Sequence, residues 1–211
     1  MLLTTRYFIT VLLLSSCVSL CAQINDTTPT ATENKTRFVS LDLSYNYGIP
    51  SSNFIYSYNL DNGNGANFNA QFYFKKYFYA GVGAGFTRYD TTGNDLLGAY
   101  EFTTRTDALL YAGVDYEFIK DVHAGVEAGL GLSTFNSKQN DLQGDRRFND
   151  TGNYVFIGVP VDIKIDDILH ILIRPRYDFV NLDIVAPQEV QSDFNRARFL
   201  NLNIGLRFVI E

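Results

Sequence analysis

Asn203-Ile204-Gly205-Leu206-Arg207-Phe208-Val209-Ile210 puts a large apolar residue at every second position, with Val209 the one apolar residue on the other row. Ile204, Leu206, Phe208 and Ile210 form one row, and Asn203, Gly205 and Arg207 lie opposite. A period of two is the signature of a β-strand with different surroundings on its two faces. The row continues upstream through Leu200 and Leu202.

Seven further stretches repeat the pattern, and no charged residue interrupts an apolar row. Val39, Leu41, Leu43, Tyr45 and Tyr47 face away from Ser40, Asp42, Ser44 and Asn46. Phe68, Ala70, Phe72 and Phe74 alternate with Asn69, Gln71 and Tyr73. The third row, Phe78, Ala80, Val82, Ala84 and Phe86, opposes Gly81, Gly83, Gly85 and Thr87. Ala108 to Phe118 alternates over Asp107, Tyr111, Gly113, Asp115 and Glu117. Val122 to Leu132 does so over His123, Gly125, Glu127, Gly129 and Gly131. Val155 to Ile165 lies over Tyr154, Phe156, Gly158, Asp162 and Lys164. Leu169, Ile171, Ile173, Tyr177 and Phe179 oppose His170, Arg174, Arg176 and Asp178.

The connections alternate in length. Those after the second, fourth and sixth strands are a few residues long. The others run over Gly48–Gly65, Asp90–Glu101, Asn136–Thr151 and Ala186–Arg196, rich in Asn, Asp, Gly and Ser. Phe54, Tyr56 and Tyr58 alternate within the first of them, which extends that hairpin. The chain has 17 Phe and 14 Tyr but no Trp, and the outward rings cluster at strand ends with Ala, Val, Leu and Ile between. From Phe78 to Phe86, at ~3.3 Å per residue and ~40° of tilt, the band spans roughly 20 Å. Short turns, long opposite loops and two aromatic girdles together predict an all-β fold, an eight-stranded antiparallel up-and-down transmembrane β-barrel over residues 37–211. A soluble sandwich or lipocalin-type barrel also alternates, with its apolar face inward. The glycines and mixed charges of the polar rows favour lipid outside. Pro160 and Pro175 each remove a ladder donor and are expected to mark local bulges.

Residues 1–22 read as a signal peptide, with Arg6 before the apolar run Tyr7–Leu14 and cleavage expected between Ala22 and Gln23. Leu14-Ser15-Ser16-Cys17 also resembles a lipobox, a second reading that puts lipid on Cys17. Both cysteines, Cys17 and Cys21, fall in this region. Residues 23–36 are polar and aperiodic, a disordered periplasmic lead-in. The net charge of −6 becomes one unit more acidic once Arg6 is removed. Such an acidic chain is a poor candidate for binding nucleic acid, and no nucleic-acid partner is expected; two His without cysteines make a poor metal site. No cofactor is expected.

Asn203, Gly205, Phe208 and Ile210 resemble the β-signal through which bacterial barrels engage the barrel assembly machinery. Residues 37–211 as a whole resemble the small outer-membrane proteins of the OmpX-like and OmpA-barrel group. That resemblance implies residence in the bacterial outer membrane, outer-membrane lipid around the barrel, and a monomer. It carries no reaction.

Arg105, Asp107, Asp115, Glu117, Glu127, Asp162, Lys164, Arg174, Arg176, Asp178 and Arg207 fall on the inward rows and are expected to form a charge network. An eight-stranded barrel is just wide enough for side chains to fill, and unpaired charges there are expensive. The network therefore reads as a polar plug before an ion path. Glycines on the third and fifth strands make room for Tyr111, Tyr154 and the arginines. His123 and Ser133 lie ten residues apart on one strand, roughly 33 Å, too far for a base and its nucleophile, and no enzyme activity is expected. The expected role is structural or interactive, with a protein partner at the external loops, where Asp141, Asp145, Arg146 and Arg147 and the aromatic first hairpin are the candidates. A narrow channel and an accessory part of envelope transport or secretion are the alternatives, ahead of a lipid-modifying enzyme.

Overall fold

The computed structural model describes residues 37–51, 60–91, 100–141, 144–184 and 195–210. The signal peptide, the Ala22–Gln23 cleavage, the lead-in, and Phe54, Tyr56 and Tyr58 lie outside these residues. Among the described residues nine strands follow one another: β1 (Val39–Pro50), β2 (Leu60–Lys75), β3 (Phe78–Thr91), β4 (Tyr100–Ile119), β5 (Val122–Asp141), β6 (Gly144–Gly158), β7 (Val161–Lys164), β8 (Leu169–Leu182) and β9 (Arg196–Ile210). Successive strands pair antiparallel, except that β6 and β7 each pair with β5 and β8 and not with one another, and β1 also pairs with β9, so the sheet closes.

The ring has eight positions because β6 and β7 share one. Both pair with β5 on one side and β8 on the other. The expected bulge at Pro160 is absent. Gly158 sits opposite Glu127, and Val161, three residues on, opposite Ala124, three residues back. Pro160 removes a donor without adding a residue to the strand. The carbonyls of both prolines remain in use, Pro160 accepting from Gly125 N–H and Pro175 from Val159 N–H.

Register fixes the shape. The paired residues Ile49, Leu200, Tyr177, Ile157, Ala128, Ala112, Ala80, Phe72 and Val39 lead once around the wall. They return to β1 ten residues from the start, a stagger that sets a strand tilt of about 40°.

Burial decides which face is which. Asp42 and Arg207 are 0% exposed, whereas Leu132 and Leu130 are 64% and 60% exposed. The polar rows therefore line the lumen and the apolar rows face outward, as a lipid-embedded barrel requires. The turns on one end are short. Asp121, between β4 and β5, takes a left-handed φ of 67°, and the Asp166 carboxylate accepts from the N–H groups of Ile168 and Leu169 between β7 and β8.

The opposite end departs from expectation. Asn136–Thr151, read as a loop, is mostly strand: the β5–β6 ladder continues from Asn136 opposite Asn149 to Asp141 opposite Gly144. Likewise β1 and β2 stay paired to Gly48 and Gly63, inside the stretch read as the first loop. These segments are polar on both faces, so no apolar row announces them.

Inward glycines lie under inward rings. Gly81 faces Tyr111, Gly113 faces Tyr79, Gly129 faces Phe156 and Gly131 faces Tyr154, each pair directly opposite across the ladder. A Cβ at Gly113 would stand 2.5 Å from the Tyr79 ring and one at Gly131 2.5 Å from that of Tyr154. The expected space for large neighbours goes to aromatic rings; no arginine is among the nearest atoms at these four sites.

Candidate functional site: the filled lumen

Two ion clusters occupy the lumen. Toward the short-turn end, Asp42 on β1 accepts from both Arg207 on β9, at 2.8 Å, and Arg174 on β8, at 2.5 Å. Arg207 also reaches Asp162 on β7 at 3.2 Å, and Arg174 lies 3.3 Å from Glu127 on β5. Tyr79 donates its hydroxyl to Glu127 at 3.1 Å. At the mouth, Arg37 bridges Asp115 on β4 at 3.0 Å and Asp162 at 2.9 Å, while Tyr73 donates to Asp115. His170 Nδ1 lies 2.7 Å from the same Asp162. Some of these contacts join neighbouring strands, as Asp42 to Arg207 and Asp162 to His170, and others reach between distant ones, as Arg174 to Glu127, so the network ties the wall together from inside.

Toward the other end, Arg105 on β4 contacts Asp107 at 2.9 Å and Asp178 on β8 at 2.7 Å. Arg176 lies 2.8 Å from Asp178, and Asn201 donates to it at 3.0 Å. Ser133 donates to Asp107 and accepts from Arg105. The Arg105 guanidinium also lies 5.0 Å from the Tyr154 ring and 4.9 Å from that of Phe199, within cation–π range. Beyond it the lumen turns apolar: Phe135 stacks on Phe199 at 5.9 Å, Tyr89 packs against Phe199 at 5.4 Å, and Leu60, Val180 and Leu182 complete a buried cluster. The barrel is thus filled by salt bridges for most of its length and capped by hydrophobic side chains at the long-loop end.

Nine of the eleven residues expected in the network belong to it. Glu117 and Lys164 do not. Glu117 is exposed at the turn end and accepts from Asp121 N–H at 3.2 Å. Lys164 pairs with Asp167 at 2.7 Å in the neighbouring turn. Their inward phase is right, but the strand ends there and the side chains reach solvent. Conversely, Asp42, Arg37 and His170 are members that the charge reading passed over. Asp42 stood on the polar row of the first strand, where its phase alone marks it as inward; Arg37 precedes that strand and carries no periodic signal. The apolar cap was also missed, because Phe135, Val180, Leu182 and Phe199 lie beyond the membrane-length alternation.

Among the β-signal residues, Asn203 and Gly205 face the lumen, and Phe208 and Ile210 face outward, 42% and 51% exposed. Of the external candidates, Arg147 is exposed, and the side chains of Asp141, Asp145 and Arg146 lie outside the described residues. No group of three or more His, Cys, Asp or Glu suited to a metal ion occurs among the described residues.

No family model matches the chain, and no curated protein matches it. Solved structures do. Neisserial surface protein A superposes with a TM-score of 0.60 at 14% identity, covering 82% of this chain and 97% of that one. OprG from Pseudomonas aeruginosa gives 0.55 at 11%, over 84% and 97%. Ail, the attachment invasion locus protein of Yersinia pestis, solved in complex with a heparin analogue, gives 0.54 at 13%, over 83% and 99%. At these identities the likeness concerns the backbone, and it agrees with the OmpX-like and OmpA-barrel resemblance: the chain has the fold of the small eight-stranded outer-membrane β-barrels.

Proposed function

We propose that this chain resides in the bacterial outer membrane as a closed, plugged barrel whose work is done at its external end, as a structural or interaction protein. The observation that carries the reading is the lumen. Asp42, Asp107, Asp115, Glu127, Asp162 and Asp178 pair with Arg37, Arg105, Arg174, Arg176 and Arg207, the contacts Arg37–Asp115, Arg105–Asp178 and Arg174–Glu127 reaching between non-adjacent strands, and an apolar cap covers one end. Opening a solute path means breaking several buried ion pairs at once, each costing about 3–5 kcal/mol when one partner is removed. The exposed apolar exterior supports lipid as the surrounding medium, and the outward positions of Phe208 and Ile210 suit an assembly machinery that reads the strand before β9 meets β1.

A non-catalytic role belongs to the same proposal. Ser133 is held by Asp107 and Arg105, and His170 by Asp162, so each is engaged in the network. Single-channel recording in planar bilayers tests the plug: the native protein is expected to give no steps at neutral pH, whereas Arg105→Ala combined with Arg176→Ala is expected to give measurable ones. Regular conductance from the native barrel would replace this reading with a narrow channel. Co-purification after deletion of external segments then identifies the partner-bearing loop.

A further inference from the structure

We propose that the outward face of β4, β5 and β6, just above the apolar band, docks the saccharide headgroup of a glycolipid in the surrounding leaflet. This rests on the outer-membrane reading above and names what one part of the external surface meets. On these three strands the outward rows change from apolar to uncharged polar. Leu110, Leu130 and Val155 lie side by side in register, a wholly apolar row. The next outward row, Ala108, Leu132 and Asn153, is mixed; beyond it come Thr106, Thr134 and Thr151, paired across the same strands, and then Thr104, Asn136 and Asn149. All six are exposed or half-exposed.

The ladder holds this patch flat and spaced. Neighbouring strands stand about 4.8 Å apart and alternate residues about 6.8 Å along each strand, so hydroxyls and amides form a regular grid. Each Thr hydroxyl carries a donor and two acceptor lone pairs, that of Thr104 donating to the Asn136 carbonyl at 3.3 Å, and each Asn has both donor and acceptor atoms. The six carry no formal charge. That composition matches the hydroxyls of a sugar rather than a phosphate, which favours the fork of an arginine. The row above adds an aromatic and cations, Phe102 opposite Lys138 and Lys138 opposite Arg147.

Continuity with the lipid-facing wall selects the occupant. A lipid whose chains cover Leu110, Leu130 and Val155 and the exposed Leu132 in the next row places its headgroup on the threonine row above them. The patch is then an extension of the membrane interface, with the headgroup's sugars as its ligand.

The test places purified barrel in nanodiscs of plain phospholipid, phospholipid with lipid A, or phospholipid with lipopolysaccharide carrying its core sugars. The readout is the temperature at which the fast-migrating folded form is lost. Core-sugar lipid is expected to raise the native midpoint by about 2–4 °C over lipid A. The variant T106V/T134V/T151V keeps volume and strand propensity, and is expected to retain the midpoint in phospholipid while losing that rise; N136A/N149A serves the same purpose if the first does not fold. A native protein that responds equally to lipid A and to the core-sugar lipid, or a variant that keeps the full rise, overturns the proposal. A protein with no heat-modifiable form in plain phospholipid overturns the barrel reading itself.

Discussion

Asp42 is the residue on which the inner cluster turns. It is 0% exposed and takes contacts from two arginines on two strands, Arg174 and Arg207. Removing it leaves Arg174 with Glu127 and Arg207 with Asp162 as their remaining carboxylates, and taking a partner from each of two buried cations is expensive. Asp42→Ala is expected to lower the unfolding free energy by about 3–5 kcal/mol, read from urea denaturation in detergent micelles. Lys164→Gln removes a charge that the sequence also placed inward, yet its pair with Asp167 is partly solvated, and the expected loss is about 0–1 kcal/mol. Equal losses in the two variants would mean that the lumen does not exclude water as the burial implies. Inward phase was legible for both residues, since alternation assigns every residue a face. Depth was not, because it depends on where the ring of neighbouring strands ends, and that is set by the stagger between chains far apart in sequence.

At the scale of elements, the β7–β8 turn is held by one carboxylate. Asp166 is fully exposed, and the N–H groups of Ile168 and Leu169, at 2.8 and 2.7 Å, hold its carboxyl below the usual carboxylate range. A depressed folded value means that its contribution is complete above the unfolded value of about 3.9 and fades as pH falls through the lower, folded one. Asp166→Asn keeps the acceptor oxygen and loses the titration. The stability gap between native and variant is therefore expected to be constant from pH 7 to about 5 and to shrink below about pH 4, measured by unfolding at matched ionic strength. A gap independent of pH down to 2 would show that the charge plays no part in the turn. Turns such as this were readable from residue type, and so were strands with one apolar row. The outer half of β5 and β6 was not, because Asn136, Lys138, Asn149 and Thr151 face solvent outside while Ser137 faces the lumen, leaving no contrast between the faces. Backbone pairing alone carries the ladder there. The Pro160 lapse was located correctly and misjudged in kind, since a missing donor interrupts hydrogen bonding without requiring an extra residue.

The whole molecule depends on one pairing that joins its ends, β1 with β9. Every other strand pairing in the ring is between strands adjacent in the chain or, around Pro160, one strand apart, so an open sheet would keep those ladders and lose this one. In the closed ring Leu43 stands directly opposite Leu206, both outward and away from the lumen charges. Paired residues on neighbouring strands lie within ~5.5 Å, close enough for a short bifunctional thiol reagent. With the two native cysteines, Cys17 and Cys21, changed to serine, L43C/L206C is expected to cross-link in folded protein and not in urea. The linked chain carries a loop through nearly its whole length, so after boiling it should migrate faster than the unlinked chain. Moving the second thiol to Leu110, on β4, three strands away around the wall, is expected to abolish the reaction. Efficient cross-linking at that distant pair, or none at Leu43 and Leu206, would rule out the closed ten-residue stagger. The filled lumen would go with it, since the bonds from Asp42 to Arg207 and from Arg207 to Asp162 exist only where β1, β9 and β7 curve into one wall.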